Sequence, residues 1–282
     1  MTAEAPSLTA QRVAVRRAAH QLFDDPRVFE DPLALPILGS DEVAKIKAKT
    51  AGIEPHASRH IRAFMAARAR FAEDTLIEAM ERGATQYVVL GAGLDTYAYR
   101  NAHSHLRVFE VDHPATQSWK RKQLDAAGIA IPPSLAFVPT DFEERSLGEV
   151  LESSGFQTSE VSFFSWLGVT PYLTAGAAVA TLAFIGSLPE GSGVVFDYAV
   201  ERSALDPEQQ LAMDALASRV ARAGEPSRLF LSPRALEHLL RIAGFREIED
   251  FGPAEIDARY FSGRTDGLQV AAGLAHLVNA RT

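Results

Sequence analysis

Between residues 87 and 198 the chain carries five short apolar runs, YVVL (87–90), RVFEV (107–111), LAFVP (135–139), VSFFSW (161–166) and GVVFDY (193–198). These runs are largely continuous rather than alternating, which is the pattern of strands covered on both faces. The intervening stretches read as helices. PATQSWKRKQLDAAG has Pro114 suited to a first turn and Gly128 to an end, residues 147–151 form a short apolar helix, and TAGAAVATLAFIGSL forms a longer one. Strands alternating with helices at this spacing predict an α/β fold built on a mostly parallel sheet.

The flanks differ. Residues 1–82 are polar and helix-rich, with a first helix carrying Val13, Arg16, Arg17 and His20 and ending near Phe23. Pro26, Pro32 and Pro36 then break DDPRVFEDPLALPILG into turns and short helical pieces. A helix over residues 59–82 follows, with Ile61, Phe64, Met65, Arg68, Phe71, Leu76 and Met80 at helical spacing and Gly83 as its stop. After the fifth strand, residues 206–222 form an amphipathic helix, and Ser232-Pro233 opens another that stops at Gly244. FREIEDF and LQVAAGLA close the chain as two strands with no helix between them, paired antiparallel. The expected organisation is a helical extension over 1–82, acting as a lid, and a core over 83–282 with a helical insertion at about 200–230.

Composition narrows the function classes. Net charge is −8 and pI about 5.5, which argues against a broad nucleic-acid or anionic-membrane footprint. The absence of cysteine removes disulfides, thiolate metal sites and a cysteine nucleophile. No stretch has the length and apolarity of a signal peptide or a membrane span, so a cytoplasmic location is expected. The histidines are scattered, and no GxSxG or GxxxxGK[ST] occurs.

The chemistry is concentrated where the first strand runs into Gly91-Ala92-Gly93. Missing Cβ atoms at such a turn let a ligand approach the backbone, and the N–H groups beyond it can meet an anion. About 20 residues on, the second strand ends at Glu110 and Asp112, where a carboxylate can accept hydrogen bonds from ribose hydroxyls. A dinucleotide fingerprint would place a third glycine where this chain has Thr96. The turn therefore predicts a nucleoside-cofactor site and leaves nicotinamide cofactors and S-adenosylmethionine both open.

With DPLA (31–34), Arg70-Phe71, VVLGAGLDTYAYR, FEVDHPATQSWK, FVPTDFEE, WLGVTPYLT, VVFDYA and GPAEIDARYF in view, the chain resembles the class I S-adenosylmethionine-dependent methyltransferases. More narrowly, it is similar to the leucine carboxyl methyltransferase-like family, which includes polyketide O-methyltransferases. The resemblance implies a Rossmann-like seven-stranded sheet, mostly parallel with an antiparallel last strand, and S-adenosyl-L-methionine as cofactor. It also implies roles by position. Arg70 would hold the methionine carboxylate, and Gly91 and Gly93 would line the methionine part. Asp112 would take the ribose hydroxyls, with Asp141 and Phe142 beside adenine. Leu167 stands where related enzymes often have a glutamate, so the substrate does not follow from the family.

Methyl transfer from a sulfonium needs alignment and exclusion of water more than side-chain chemistry. A carboxylate acceptor needs no general base, whereas a phenol or alcohol would profit from one. Tyr172 and Tyr260 are the first candidates, with Asp197 and Tyr198 also placed beyond strand ends. The expected activity is O-methylation of a carboxylate, phenol or hydroxyl of a small, fairly apolar molecule in secondary metabolism, without a divalent metal. The alternative is an NAD(P)-dependent oxidoreductase using the same turn. The partner is a small-molecule acceptor, and the sequence does not set the oligomeric state.

Overall fold

The computed structural model describes residues 7–49, 56–141, 145–207, 209–211, 213–214, 228–270 and 275–282. Its centre is a seven-stranded sheet of β1 (Gln86–Leu90), β2 (Arg107–Asp112), β3 (Leu135–Pro139), β4 (Ser162–Trp166), β5 (Gly193–Ala199), β6 (Glu247–Phe251) and β7 (Ala275–Arg281). The spatial order is β3-β2-β1-β4-β5-β7-β6. Strands β1 to β5 pair in parallel, and β7 runs antiparallel to both β5 and β6. The order reverses between β1 and β4, where a doubly wound sheet opens a crevice beyond its carboxyl ends.

The continuous apolar runs are explained by two-sided burial. Val88, Leu90, Phe109, Val111, Phe164 and Trp166 face one side. They pack under α6 (Leu147–Ser153), α7 (Ala175–Gly186) and α8 (Pro233–Ala243) through residues such as Leu151, Leu182 and Leu240. Alternate residues, among them Tyr87, Val89, Val108, Phe163 and Val195, face the other side, against Ala67, Phe71 and Leu76 of α3 (His56–Glu81). The side-chain period of two along each strand divides the core into these faces. A smaller cluster seats α1 (Leu8–Phe23) through Ala14 and Ala18 against Ile37, Leu94 and Leu124. Leu124 belongs to α5 (Pro114–Ala126), and a further helix, α2 (Ser40–Lys49), follows the 3-10 turn Pro36–Leu38.

Three expectations need correction or qualification. The last strand is β7, which begins where the run LQVAAGLA ends. Leu268 and Val270 are buried against the α3-side core outside any strand, so their apolarity reflects packing rather than sheet pairing. β7 itself was obscured by His276 and Asn279, which find polar partners on β6, Asp250 and Glu249. A helix, α9 (Pro253–Tyr260), does separate the two final strands, with Pro253 in its first turn and buried Ile256 docking it. Of the helix expected over 206–222, residues 207, 209–211 and 213–214 are helical, and its other residues from 208 on lie outside the described residues.

Helices α7 and α8 meet through glycine. A Cβ at Gly186 would lie 1.9 Å from the Ala243 carbonyl oxygen, and one at Gly244, whose φ is +111°, would lie 2.6 Å from the Gly186 oxygen. Gly176, in the first turn of α7, faces open space. Gly186→Ala is therefore expected to destabilise the fold by about 1–3 kcal/mol, the usual cost of overpacking. Gly176→Ala should shift stability by less than about 1 kcal/mol, in the stabilising direction. Urea denaturation of the two variants beside the parent checks both.

Candidate cofactor site

A cavity of about 420 Å3 opens outside the carboxyl ends of β1 to β4. Its floor is the glycine turn. The Gly91 and Ala92 N–H groups both donate to the Val111 carbonyl, at 2.8 and 3.1 Å, which turns the chain off β1. Gly91 and Gly93 have φ of +67° and +47°, the left-handed region that favours glycine. A Cβ at Gly91 would lie 2.3 Å from a Val169 methyl group, and one at Gly93 would lie 3.1 Å from Ala10 of α1. The turn is therefore sandwiched between the segment after β4 and the first helix.

Asp112, at the end of β2, forms the adjoining wall. Its Oδ2 accepts from the Gly93 N–H at 2.5 Å and its Oδ1 from the His113 N–H at 2.6 Å. Burial raises its pKa, and these two N–H donors work in the opposite direction. Each carboxylate oxygen retains acceptor capacity for a ligand hydroxyl. His113 also lines the cavity, where its Nδ1 caps α5 by accepting from the Ala115 N–H. Asp141 lines the cavity just beyond β3. Phe142, its expected partner beside adenine, lies outside the described residues.

Glu110 points away into a buried pocket of its own. It pairs with Lys120 at 2.7 Å, accepts from the Tyr99 hydroxyl at 3.1 Å, and has its pKa pushed up to about 7 by burial. Lys120 is only 1% exposed, its ammonium held inside the fold by the Glu110 carboxylate.

The other walls come from α1 and α3. Ser7, Thr9, Ala10, Val13, Ala14 and Arg17 face the cavity from α1 and its cap. Buried Arg17 ties that helix to the turn: its Nη2 reaches Asp31 Oδ2 at 2.6 Å, the Leu94 carbonyl at 3.2 Å and Thr96 Oγ1 at 3.2 Å. Burial would raise the Asp31 pKa, but Arg17 and Arg100 outweigh it and hold the carboxyl below its usual range. From α3 come Met65, Arg68 and Ala69, at the i, i+3, i+4 spacing of one helix face.

Arg70 does not line the cavity. It lies two residues, about 200° of helix, from Arg68, and its half-exposed side chain pairs with Asp74 at 2.6 Å. Arg68 instead is 5% exposed and donates from Nη1 to Asp197 Oδ2 at 2.9 Å. Gly168 shapes this clamp, since a Cβ there would lie 2.8 Å from Arg68 Nη2, and its N–H donates to Asp197 Oδ1. A helical-wheel argument over α3 could have separated Arg68 from Arg70. Nothing local marks Asp197 as its partner.

Of the residues considered as general bases, Tyr172 lines the cavity. Asp197 is committed to Arg68 and Gly168. Tyr198 donates to Asp250 at 2.8 Å on the far strands, and Tyr260 donates to Asp74 at 3.2 Å on the outside of α3. Burial raises the pKa of both phenols.

Comparison with known proteins agrees with this architecture. Residues 10–186 match the family model described as leucine carboxyl methyltransferase. The chain is 33% identical to YktD of Bacillus subtilis (strain 168), assigned as an S-adenosyl-L-methionine-dependent methyltransferase, over 97% of each chain. Among solved structures, a Thermobifida fusca YX protein assigned as a methyltransferase superposes with a TM-score of 0.59 at 17% identity, covering 100% of this chain and 96% of that one. A DUF574 family protein from Streptomyces avermitilis MA-4680 gives 0.59 at 18% identity, covering 95% and 96%. These two likenesses show the fold. The matched family model and the full-length relative place this chain in the leucine carboxyl methyltransferase family of class I S-adenosylmethionine-dependent methyltransferases.

Proposed function

We propose that the chain methylates an oxygen of a small, fairly apolar molecule, a carboxylate or a phenol or hydroxyl, with S-adenosylmethionine as methyl donor. The observation that carries this reading is the convergence of the glycine turn, Asp112 and Arg68 on one cavity. The residues fit the cofactor. The turn presents backbone without Cβ atoms, Asp112 keeps acceptor capacity for ribose hydroxyls, Asp141 can accept from an exocyclic amine, and the Arg68 fork suits a carboxylate. When bound, the cofactor supplies a methyl group on a positively charged sulfur.

The chain's own contribution is positioning. Val13, Met65, Ala69, Leu167, Val169 and Leu173 give the cavity apolar walls that hold an acceptor and exclude water. A carboxylate acceptor is already ionised at neutral pH and needs no base. A phenol must lose its proton, and Tyr172 is the cavity-lining tyrosine placed to hold or relay it. Leu167 adds to the apolar wall where related enzymes often have a glutamate, consistent with an acceptor of apolar character. Family membership leaves the oxidoreductase alternative without support. The net charge of −8 favours a small-molecule partner over nucleic acid. Among the described residues, no helix is long and apolar enough to cross a membrane.

In a thermal-shift panel, S-adenosylhomocysteine should raise the melting temperature and NAD should leave it unchanged, because only a ligand of the native state stabilises it. Asp112→Ala should weaken S-adenosylhomocysteine by about 1.5–3 kcal/mol, the range for hydrogen bonds to a charged group. Calorimetry of folded variants checks this figure.

The two neighbouring arginines give a sharper contrast. Arg68→Lys should weaken S-adenosylhomocysteine at least about tenfold, since a lysine lacks the planar fork, while Arg70→Ala should leave affinity unchanged. The same titration on both proteins decides which arginine belongs to the site.

Because α1 covers the glycine turn, protease cleavage within residues 8–23 should slow markedly when S-adenosylhomocysteine is added. Equal cleavage with and without it would make α1 a fixed wall rather than a lid.

A further inference from the structure

A pair of buried hydroxyls lies where the cavity meets β4. Ser165 lines the cavity yet is only 2% exposed. Its backbone is enclosed by Val89 of β1 and Val195 of β5, so what it presents to the cavity is its side chain. That side chain lies on the α3-facing side of the sheet, where its Oγ accepts from the Tyr87 hydroxyl at 2.7 Å. The Tyr87 ring is buried, edge-on to Tyr97 and stacked on Phe163. Among the described residues the Tyr87 O–H has no second acceptor, and the Ser165 O–H has none at all. If Ser165 donated to Tyr87 instead, the phenol proton would be buried without a partner. Burial pushes the Tyr87 pKa well above the usual phenol value, so that proton stays in place. The polarity of the pair is therefore fixed: Ser165 accepts from behind and has its own proton to give to the cavity.

Such a donor selects its ligand. An ammonium offered to this hydroxyl would leave the Ser165 proton unsatisfied, whereas a carboxylate oxygen takes it. Position selects the ligand as well. Asp197 lies two residues beyond Val195, the β5 neighbour of Ser165, and binds Arg68 of α3. Ser165 and Arg68 thus approach the cavity from sheet and helix on the β4 side of the glycine turn, with Asp112 and Asp141 on its β2 and β3 side. Resting on the methyltransferase reading of the same cavity, we infer that Ser165 donates a hydrogen bond to the methionine carboxylate of the cofactor, beside the Arg68 fork, and that Tyr87 is a positioning residue that fixes the direction of this bond. A hydroxyl on a central strand moves less than the end of a long arginine. The pair therefore anchors the methionine arm, and with it the sulfur that carries the methyl group.

Ser165→Ala alone would strand the Tyr87 proton, so the main variant is the double substitution Tyr87→Phe with Ser165→Ala, in which both partners leave together. Calorimetry on the full chain compares S-adenosylhomocysteine with its decarboxylated analogue, 5′-deoxy-5′-(3-aminopropylthio)adenosine, which keeps the nucleoside, the sulfur and the ammonium. The double variant should bind S-adenosylhomocysteine at least about tenfold more weakly than the parent and the analogue within about twofold, as expected for one hydrogen bond to a charged group. Tyr87→Phe alone keeps the Ser165 donor but frees it to turn, and should lose part of this affinity, for S-adenosylhomocysteine only. A general loosening of the fold would weaken both ligands. Equal weakening of both by the double variant would overturn the inference and assign the pair to packing. Unchanged affinity for S-adenosylhomocysteine would overturn it too, and would leave the Ser165 proton to the methyl acceptor. Failure of S-adenosylhomocysteine to bind the parent chain is a separate outcome, and it would sink the methyltransferase reading together with this one.

Discussion

The buried ion pair between Arg17 and Asp31 is the constraint on which the site depends. Arg17 leaves the middle of α1 and meets Asp31, Thr96 and the Leu94 carbonyl just beyond the glycine turn. Thr96 donates in turn to Asp31 at 2.8 Å, so one carboxylate gathers α1, the segment before Pro32 and the start of α4 (Tyr97–Arg100). Removing one partner of such a pair costs about 3–5 kcal/mol, because the other charge is left buried alone. This anchor works with the apolar seat of Ala14 and Ala18 to hold Ala10 over Gly93 and Val13 along the cavity wall. The N-terminal helix lines the site, and a charge deep in the fold ties it to the glycine turn.

Acidic side chains elsewhere divide between two tasks. Asp197 and Glu110 serve buried cations, Arg68 and Lys120, and are spent on architecture. Asp112 is satisfied by backbone N–H groups and faces the cavity, so its remaining lone pairs are available to a ligand. Proximity to the glycine turn alone does not separate these roles. The distinction is whether a side-chain cation or a backbone donor satisfies each carboxylate, which follows from what packs on each strand face.

The cavity is consequently asymmetric. One end is polar and rigid, laced together by hydrogen bonds among the carboxyl ends of β1, β2 and β3, such as Thr140 N–H to the Asp112 carbonyl at 2.9 Å. The other end is largely apolar, bounded by α1, α3 and the chain after β4, with Arg68 and Arg228 in its lining. A rigid end suits an invariant nucleoside, and an apolar end between separate elements suits the variable partner.

The sequence by itself determined the five parallel strands, the glycine turn and Asp112. Burial on both faces writes itself as continuous apolar runs, and a turn that needs positive φ writes itself as glycine at a fixed distance from the next strand end. Helix boundaries at Phe23, Pro114 and Gly244 were legible for the same local reason. Only the tertiary structure decided that Arg68 rather than Arg70 faces the cavity, that Lys120 is buried, and that α1 forms a wall. It alone also placed β7 over residues whose polar side chains hide a strand. Each of these depends on a partner far along the chain: Asp197 for Arg68, Glu110 for Lys120, Asp31 for Arg17 and β6 for β7. Period and turn chemistry record what a residue does with its neighbours in sequence. The pairing of a buried charge or an edge strand is settled by whichever distant element satisfies it.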